Sequence, residues 1–406
     1  MSAEQITTIP DGHIASAVGF TTGAIYAGLK TYGKDKLDLG LLYSSTPAAA
    51  AGVFTQNKVV SPTVTLDRQR LASRTAQAIM VNSGCANACV GPQGMLDAIA
   101  MAAIAARKLG IAEELVLVAS TGIIGVELPM ALLRAKIPLM DLSAAHGHQF
   151  AHAIMTTDSV PKEAAVRFTV GGKDCTIAGV AKGVGMIHPN MATMLCFVAS
   201  DAAVEPVYLQ DALKAAVDQS LNMVSVDGDS STNDSCIILA NGQAGNSVIR
   251  AATPEAALFE QALAQVLITL AKKIARDGEG ATKLLEVIVE GAASLEDARR
   301  AARAVTSSPL VKAAVHGADP NWGRVVMALG KSGARMEEDS LVVYINDICM
   351  MDKGQPVPFF KEAAVVSMRE PDVRVRARLG VGQHTATAWG CDLTEEYVRY
   401  NSAYTT

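Results

Sequence analysis

Thr193 is the residue of this sequence whose type and setting most favour covalent chemistry, and it lies in the segment "HPNMATMLCFVAS". A threonine hydroxyl is a weak nucleophile unless a base takes its proton. If Thr193 began its own chain, its free α-amine, with a reference pKa of about 8, could be that base. The hydroxyl could expose this amine by attacking the carbonyl of Ala192. The structural alternative is a threonine that merely begins a strand, because Thr favours strands.

Other polar positions favour acyl transfer over the structural alternative. The segment "STGIIG" places Thr121 and Gly122 at the end of a predicted strand, where a hydroxyl and a backbone N–H can form an oxyanion hole. Lys182 lies among glycines in "AKGVGM", and Glu279 lies in the glycine-flanked turn "RDGEG". A cation and a carboxylate held in such loops would suit the charged groups of an amino acid. Their structural alternatives are a solvated lysine and a turn cap.

The elements that must position these residues alternate between short strands and helices. "AQAIMVNSGCANACVG" predicts a strand over 77–82 that leads into a loop, and "GMLDAIAMAAIAARKLG" predicts a helix that stops at Gly110. "LVLVASTGIIG" predicts a strand over 115–119 and a tight turn over 120–122. Hairpin-like connections favour antiparallel or mixed sheets covered by helices, in an α/β or α+β fold.

The second half continues this pattern. "PEAALFEQALAQVLITLAKKIA" predicts the longest amphipathic helix, and "LLEVIVEG" predicts a strand after it. "SLEDARRAARAVTSS" predicts a helix with Ser294 as its N-cap and Asp297 in the capping-box position. The last third, from "SLVVYIND" onward, reads mostly as strands. A chain of 406 residues predicts two or three lobes around a large core.

Composition excludes several classes of partner. The formal net charge of -5 is spread along the chain and only 4% of the residues are aromatic, which argues against nucleic-acid binding. The uncharged stretch 183–200 contains His188, Pro189 and Asn190, so we predict no membrane span. The start "MSAEQITTIPDG" lacks the apolar core of a signal peptide. Seven scattered cysteines fit the reducing cytoplasm.

Three local patterns resemble ligand sites but lack a required part. Cys85 and Cys89 have no second pair or nearby histidine to complete a zinc site. "GKS" at 330–332 follows Val325, where a phosphate-binding loop needs glycine. "DGDSSTND" over 227–234 lacks the glycine and the bidentate acid of a calcium loop, which leaves a polar loop. We therefore predict no metal site.

Many segments, taken in order, resemble the glutamate N-acetyltransferase family of arginine biosynthesis, also called the ornithine acetyltransferase family. One such segment would be a weak signal, but this number in this order is specific. They run from about residue 80 to the last residue, and "PAAAAGVFTQNKVVSP" extends the likeness over nearly the whole chain. The segments are "VNSGCANA", "STGIIG", "MTTDSVPK", "KGVGMIHPNMATML", "SVDGDSSTNDS", "RDGEGATK", "ADPNWGR", "ATAWGCDLT" and "YNSAYTT".

The resemblance implies a two-lobed, layered α/β fold, related to that of self-processing aminopeptidases. It implies self-cleavage between Ala192 and Thr193 into an α chain, 1–192, and a β chain, 193–406. The α chain would hold the oxyanion hole and part of the substrate site. The β chain would begin with the nucleophile, and its C-terminal tail would close the site. Two chains of each kind would form a heterotetramer.

The resemblance also implies the roles of individual residues. Thr193 would carry the acetyl group as an ester, and Thr121 and Gly122 would stabilise the oxyanion. No metal or cofactor would be needed. The residues implied to contact the substrate are Thr156, Lys182, Thr193, Glu279, Asn401 and Thr406.

The implied reaction proceeds in two halves. N2-acetyl-L-ornithine would acylate Thr193 and leave as ornithine, and L-glutamate would then take the acetyl group. Two acyl steps through one covalent intermediate predict ping-pong kinetics. Both substrates carry an α-carboxylate, so one set of contacts can serve each half. Water must be kept from the ester, because hydrolysis would waste the acetyl group.

The sequence departs from the usual family pattern at a few positions beside the implied site. Val184 stands two places after Lys182, where a small polar residue is more usual. Asn401 lies in "YNSA", between Tyr400 and Ser402, where the family more often shows other residues. These departures bear on substrate preference and leave the nucleophile and the oxyanion positions unchanged.

Two other functions remain open from the sequence. A related self-processing hydrolase or aminopeptidase would use the same nucleophile with water as acceptor, and it would not need glutamate. A non-enzymatic binding protein could keep the fold, and an uncleaved chain would favour it. Acetyl-CoA as a co-substrate for glutamate acetylation is a third open point, because family members with and without that activity share these segments.

Overall fold

The structure, a computed structural model, describes residues 6–30, 36–188 and 194–403. Its strands are β1 (Ile6–Thr8), β2 (Phe20–Ile25), β3 (Leu39–Phe54), β4 (Thr75–Cys85), β5 (Val116–Ile123), β6 (Lys162–Val170), β7 (Lys173–Lys182), β8 (Leu195–Ser200), β9 (Val224–Ser225), β10 (Ser235–Ala240), β11 (Leu284–Ala292), β12 (Val342–Ile345), β13 (Ile348–Asp352), β14 (Gln355–Pro356), β15 (Asp372–Arg378) and β16 (His384–Cys391). Its helices are α1 (Pro62–Arg70), α2 (Gln93–Leu109), α3 (Met130–Lys136), α4 (Gly147–Ile154), α5 (Pro206–Asp218), α6 (Pro254–Arg276), α7 (Leu295–Thr306), α8 (Pro309–His316), α9 (Trp322–Gly330), α10 (Lys361–Met368) and α11 (Glu395–Ala403). None of the helices in these ranges is apolar over enough residues to cross a bilayer.

Within the described ranges, the larger of two sheets has nine strands, in the order β1-β6-β7-β8-β10-β3-β4-β5 with β2 also paired to β3. Its pairs are antiparallel except for β8 with β10 and β4 with β5, which are parallel. The long strand β3 joins the halves, because residues 49–54 pair with β10 and residues 39–43 pair with β4. The parallel pair β4 and β5 places the carboxyl ends of both strands at the same edge of the sheet.

The smaller sheet has seven strands in the order β14-β13-β12-β15-β11-β16-β9. Helix α6 packs against β6 and β7 of the larger sheet and against β11 and β16 of the smaller one. Its N-cap Thr253 accepts a hydrogen bond from the Ala256 N–H, and Pro254 takes the first helical position, which favours the helix start. Helix α6 ends at Arg276, and the turn that carries Glu279 follows it directly.

Most of the predicted elements are confirmed, including the mixed α/β class with sheets covered by helices. The strand predicted over 77–82 lies within β4, and α2 ends where Gly110 adopts a left-handed φ of 67°. Ser294 caps α7 by accepting a hydrogen bond from the Asp297 N–H over 3.1 Å. Local sequence predicted these elements because caps and hydrophobic periodicity act within a few residues.

One prediction about an element is wrong. Residues 120–122 are not a tight turn, because β5 continues to Ile123 in register with β4. Pairing with β4 is a long-range contact, and it overrides the turn preference of "STG". The last third is mostly strands, as predicted, with β12 to β16 beside the helices α10 and α11.

The predicted boundary between the α and β chains, Ala192 and Thr193, lies outside the described residues. The strands on either side of it are described and belong to one sheet. β7 pairs with β8 from Ile177 opposite Ser200 to Lys182 opposite Leu195. The two predicted chains would therefore not be separate lobes but would share the nine-stranded sheet.

Candidate active site

A cavity of about 480 Å³ opens where the carboxyl ends of β5 and β7 meet the loops that follow them. Further walls come from the loop before β6, the polar loop 227–233, the turn after α6 and helix α11. These segments are far apart in the sequence, so only the fold brings them together. The cavity lining includes the predicted site residues Thr121, Gly122, Thr156, Lys182, Glu279 and Asn401.

The wall at Thr121 and Gly122 depends on close backbone packing. These residues pair in parallel with Ser83 and Gly84 of β4. Gly122 has a φ of 130°, and a Cβ at this position would lie 2.3 Å from the carbonyl carbon of Gly84. Only glycine permits this conformation and this approach. The strand end is therefore held in one place, with Thr121 almost fully buried.

Lys182, the last residue of β7, reaches across the cavity wall to Thr121. Its Nζ donates a hydrogen bond to Thr121 Oγ1 over 3.2 Å. An ammonium group has no acceptor capacity, so the threonine oxygen must accept this bond. The hydroxyl hydrogen of Thr121 is then left to donate elsewhere. The arrangement offers a cation and an oriented donor, the groups that stabilise a developing oxyanion.

Lys182 is a buried side chain, so the solvated alternative from the sequence is wrong. Burial lowers the pKa of Lys182, and nearby Lys162 lowers it further. The acidic groups of Asp158, Asp234 and Glu279 oppose this shift. The acidic neighbours thus partly offset the effect of burial on the Lys182 ammonium. A substrate carboxylate in the cavity would add to this stabilisation.

Glu279 lies in the turn after α6 and its carboxylate faces the cavity. Thr157 Oγ1 donates to Glu279 Oε1 over 3.0 Å, and Asn401 Nδ2 donates to Oε2 over 2.9 Å. A Cβ on Gly185 would lie 2.6 Å from Oε2, so the glycine makes room for the carboxylate. Glu279 is therefore more than a turn cap, since its side chain joins two walls of the cavity.

Val184, one of the departures from the family pattern, supports this turn through its backbone. Its carbonyl oxygen accepts a hydrogen bond from the Glu279 N–H over 2.8 Å. Its side chain is buried and lines the cavity. The turn is thereby tied to the chain that follows Lys182. A change of side chain at 184 alters the shape of the wall while this backbone bond can persist.

Asp227 is a cavity residue that the sequence analysis assigned only to a polar loop. Its carboxylate accepts hydrogen bonds from the backbone N–H groups of Met186, at 2.5 Å, and Ile187, at 2.9 Å. Burial raises the pKa of Asp227, and these backbone donors oppose the shift. The residue thus fixes the path of the chain between Gly185 and His188. The only local signal was the density of Asp and Ser residues in "DGDSSTND".

Asn233 is a second cavity residue that the sequence analysis missed. Its Nδ2 donates to the carbonyl oxygens of Ala86, over 2.6 Å, and Ser120, over 2.9 Å. One amide thereby holds together the ends of β4 and β5, next to Thr121. An asparagine that serves two distant carbonyls leaves no spacing pattern in the sequence.

The remaining predicted residues, Ala192, Thr193 and Thr406, lie outside the described residues. The chain resumes at Met194, whose backbone N–H donates to Asp234 Oδ1 over 2.9 Å. Asp234 is buried, and burial raises its pKa well above the ordinary value, against the opposing Met194 N–H and Lys182. Its other oxygen, Oδ2, has no hydrogen-bond partner among the described residues.

The described residues contain no group of three or more His, Cys, Asp or Glu side chains arranged to hold a metal ion. The cavity instead combines an oriented hydroxyl, a buried ammonium and a carboxylate. These groups can bind a charged amino acid and polarise an acyl carbonyl. The arrangement suits acyl transfer.

Comparison with known proteins agrees with this chemistry. Residues 21–406 match the sequence profile of the ArgJ family. An arginine biosynthesis bifunctional protein ArgJ of Dehalococcoides mccartyi is 50% identical over 402 residues, which cover 99% of both chains. The protein of that name from Symbiobacterium thermophilum is 53% identical over 397 residues, which cover 97% of this chain and 99% of that one. A crystal structure of the Bacillus halodurans ArgJ protein has 42% identity and a TM-score of 0.50, over 51% of this chain and 98% of that one.

Proposed function

Because this chain belongs to the ArgJ family, we propose that it transfers the acetyl group of N2-acetyl-L-ornithine to L-glutamate in arginine biosynthesis. One observation in the structure carries this proposal: Lys182 and Glu279 share a single cavity with Thr121 and Gly122. A cation and a carboxylate, groups suited to a charged amino acid, thus lie beside the proposed donors for an acyl oxyanion. Neither part alone would indicate transfer between two amino acids.

We further propose Thr193 as the nucleophile and its free α-amine as the base. In the first half-reaction, Thr193 Oγ bonds to the acetyl carbon, the amide C–N bond breaks, and the departing amine of ornithine takes a proton. In the second, the glutamate amine attacks the ester carbonyl, the C–O bond breaks, and the hydroxyl of Thr193 regains its proton. Thr121 and Gly122 would stabilise the oxyanion in both halves. Two acyl steps through one ester predict ping-pong kinetics.

The shared sheet supports cleavage without dissociation. β8 remains hydrogen-bonded to β7 over six residue pairs, and β10 remains paired with β3. Cutting the peptide bond between Ala192 and Thr193 breaks none of these bonds. We propose that chains 1–192 and 193–406 stay together and that two such pairs form a heterotetramer. We place the reaction in the cytoplasm, in keeping with seven free cysteines.

The substrate contacts in this proposal come from several walls of the cavity. The α-carboxylate shared by both substrates would lie near Lys182 and Thr156, and Glu279 with Asn401 would bind a polar or charged group of the substrate. Thr406 is proposed to contact the substrate from the C-terminal tail. No metal or cofactor takes part. The relatives are named bifunctional, and on that ground we propose acetyl-CoA as a second acetyl donor for glutamate.

The experiment that tests this proposal measures release of ornithine from N2-acetyl-L-ornithine with and without L-glutamate. We expect turnover that depends on glutamate and parallel lines in double-reciprocal plots. Release that is unaffected by glutamate would indicate the hydrolase alternative instead. Replacing acetylornithine with acetyl-CoA in the same assay tests the second donor separately.

A further inference from the structure

Lys162 is a fully buried lysine for which the proposed reaction has no use. Its Nζ lies 2.6 Å from Asp158 Oδ1 and 2.6 Å from Asp277 Oδ2. The side chains of Lys162 and Asp158 are 0% exposed, and that of Asp277 is 10% exposed. Lys162 and Asp158 belong to the segment "MTTDSVPK", in which Thr156 lines the cavity and Thr157 donates to Glu279.

Asp158 joins this ion pair to two walls of the cavity. Its Oδ2 accepts a hydrogen bond from the Thr156 N–H over 3.0 Å, and its Oδ1 accepts one from the Gly183 N–H over 2.7 Å. Thr156 lines one wall, and Gly183 directly follows Lys182 in the other. One carboxylate therefore holds the backbone on both sides of the space between Thr156 and Lys182.

The ionised state of Asp158 favours this arrangement, because hydrogen bonds to a charged carboxylate are stronger than those to a neutral acid. Burial alone would raise the pKa of Asp158, but the cations Lys162 and Lys182 lower it to about 2. Lys162 is the closer cation and is itself held by Asp277. The ion pair thus keeps the carboxylate charged where no water reaches it.

We propose that Asp158 and Lys162 form a positioning pair that sets the separation of Thr156 and Lys182 for binding the α-carboxylate shared by both substrates. This inference rests on the proposed function, since it assigns a purpose to the same cavity. A buried ion pair adds little net stability compared with apolar side chains of the same size, whereas it fixes geometry. The pair lies beneath both cavity walls, where a fixed position of the backbone would favour substrate binding.

Asp158 and Asp277 provide a matched pair of variants. Asp158→Asn and Asp277→Asn each remove one carboxylate from Lys162 with little change in volume. Asp158 also holds the N–H groups of Thr156 and Gly183, which flank the cavity, whereas Asp277 also holds the N–H of the exposed Ser159. For Asp158→Asn we expect kcat/KM to fall by about 10-fold to 10²-fold for acetylornithine and for glutamate alike, mainly through KM. For Asp277→Asn we expect a change below about threefold, whatever its effect on melting temperature.

The rise of KM at alkaline pH distinguishes a positioning role from a purely structural one, because a purely structural role would not change the pH at which this rise begins. Lys182 must be protonated to bind a carboxylate, and the titratable groups around it are Asp158, Lys162, Asp234, Glu279 and Lys30. Asp158 is the strongest of the acids that support the ammonium. Its removal lowers the pKa of Lys182 further, so KM should begin to rise at a lower pH in Asp158→Asn than in wild type. Asp277→Asn should leave this rise unchanged.

The experiment is a steady-state measurement of both substrates over pH for the wild-type, Asp158→Asn and Asp277→Asn proteins. Equal KM effects in the two variants, or a change in melting temperature alone, would overturn the positioning role. If Asp158→Asn does not fold, Lys162→Arg replaces it, since the larger guanidinium keeps the charge but must displace Asp158. Unchanged KM values for Lys162→Arg would also overturn the proposal. An inactive wild-type protein would instead count against the proposed function.

Discussion

Lys182 Nζ lies 3.2 Å from Thr121 Oγ1 across the cavity wall. The two side chains come from neighbouring ends of β7 and β5, which are separated in the sheet by four strands. Because the ammonium can only donate, it turns the lone pair of Thr121 toward itself and the hydroxyl hydrogen away. The proposed oxyanion donor and the proposed substrate-binding cation are therefore in direct contact through one hydrogen bond.

Thr121→Ala removes the proposed oxyanion donor. We expect kcat to fall by ~10²–10³, the usual effect of one such donor, with KM nearly unchanged. Thr121→Ser keeps the hydroxyl and should retain most of the activity. Steady-state kinetics with acetylornithine and glutamate check this, and a loss below about threefold for the alanine variant would indicate a structural role only.

Gly185→Ala tests the fit between the glycine and Glu279. The new methyl group would lie 2.6 Å from a carboxylate oxygen, so Glu279 must move away from Thr157 and Asn401. We expect KM to rise by about 10-fold for at least one substrate. Gly330→Ala is the control, because nothing lies within 4 Å of its added Cβ. Equal kinetics in both variants would contradict the packing argument.

Thr193→Ala tests whether one hydroxyl serves both cleavage and transfer. Mass spectrometry of the denatured wild-type protein should show two chains, 1–192 and 193–406. The variant should show one uncut chain and no acetyl transfer, since neither the nucleophile nor a free α-amine is present. Transfer by an uncut variant would refute the shared nucleophile. A single uncut mass for the wild-type protein would refute the N-terminal base.

Asp67→Asn should stabilise the protein increasingly as the pH rises. Asp67 is fully buried in α1, its Oδ1 accepts from the Val118 N–H over 2.9 Å, and Oδ2 has no partner in the described ranges. Burial raises the pKa of Asp67 well above its ordinary value, against the effects of Val118 and Arg70. The neutral Asp67 therefore contributes its full stability at a pH below its pKa in the unfolded chain. This stability is lost as the pH rises through the higher pKa that Asp67 has in the folded protein.

Denaturant unfolding at pH 5 and pH 8 measures this effect. We expect the free energy of unfolding of Asp67→Asn, relative to that of wild type, to increase by about 1–3 kcal/mol between pH 5 and pH 8. Asp339→Asn, at an exposed position, is the control and should follow the wild-type curve. Parallel curves for the Asp67 variant would show that the acid remains charged in the folded protein.

The position of Glu279 shows which structural features can be predicted from neighbouring residues alone. Caps, periodicity and a glycine-flanked turn predict that α6 ends just before it, because these signals act within a few residues. The same reasoning predicted a turn over 120–122, and there the structure differs. Hydrogen bonds to β4, a strand some forty residues earlier, extend β5 through Thr121 and Gly122. No local signal reports such a partner.

The sequence by itself determined the mixed α/β class, most helices and strands, and the family, because ordered motifs and short-range physical preferences are written in neighbouring residues. Only the tertiary structure decided that Lys182 is buried against Thr121, that Asn233 holds the ends of β4 and β5, and that Asp158 and Lys162 lie beneath two walls of one cavity. Burial and hydrogen bonding between distant segments depend on how the whole chain packs. A lysine or an asparagine has the same letter whether it faces water or fills a core.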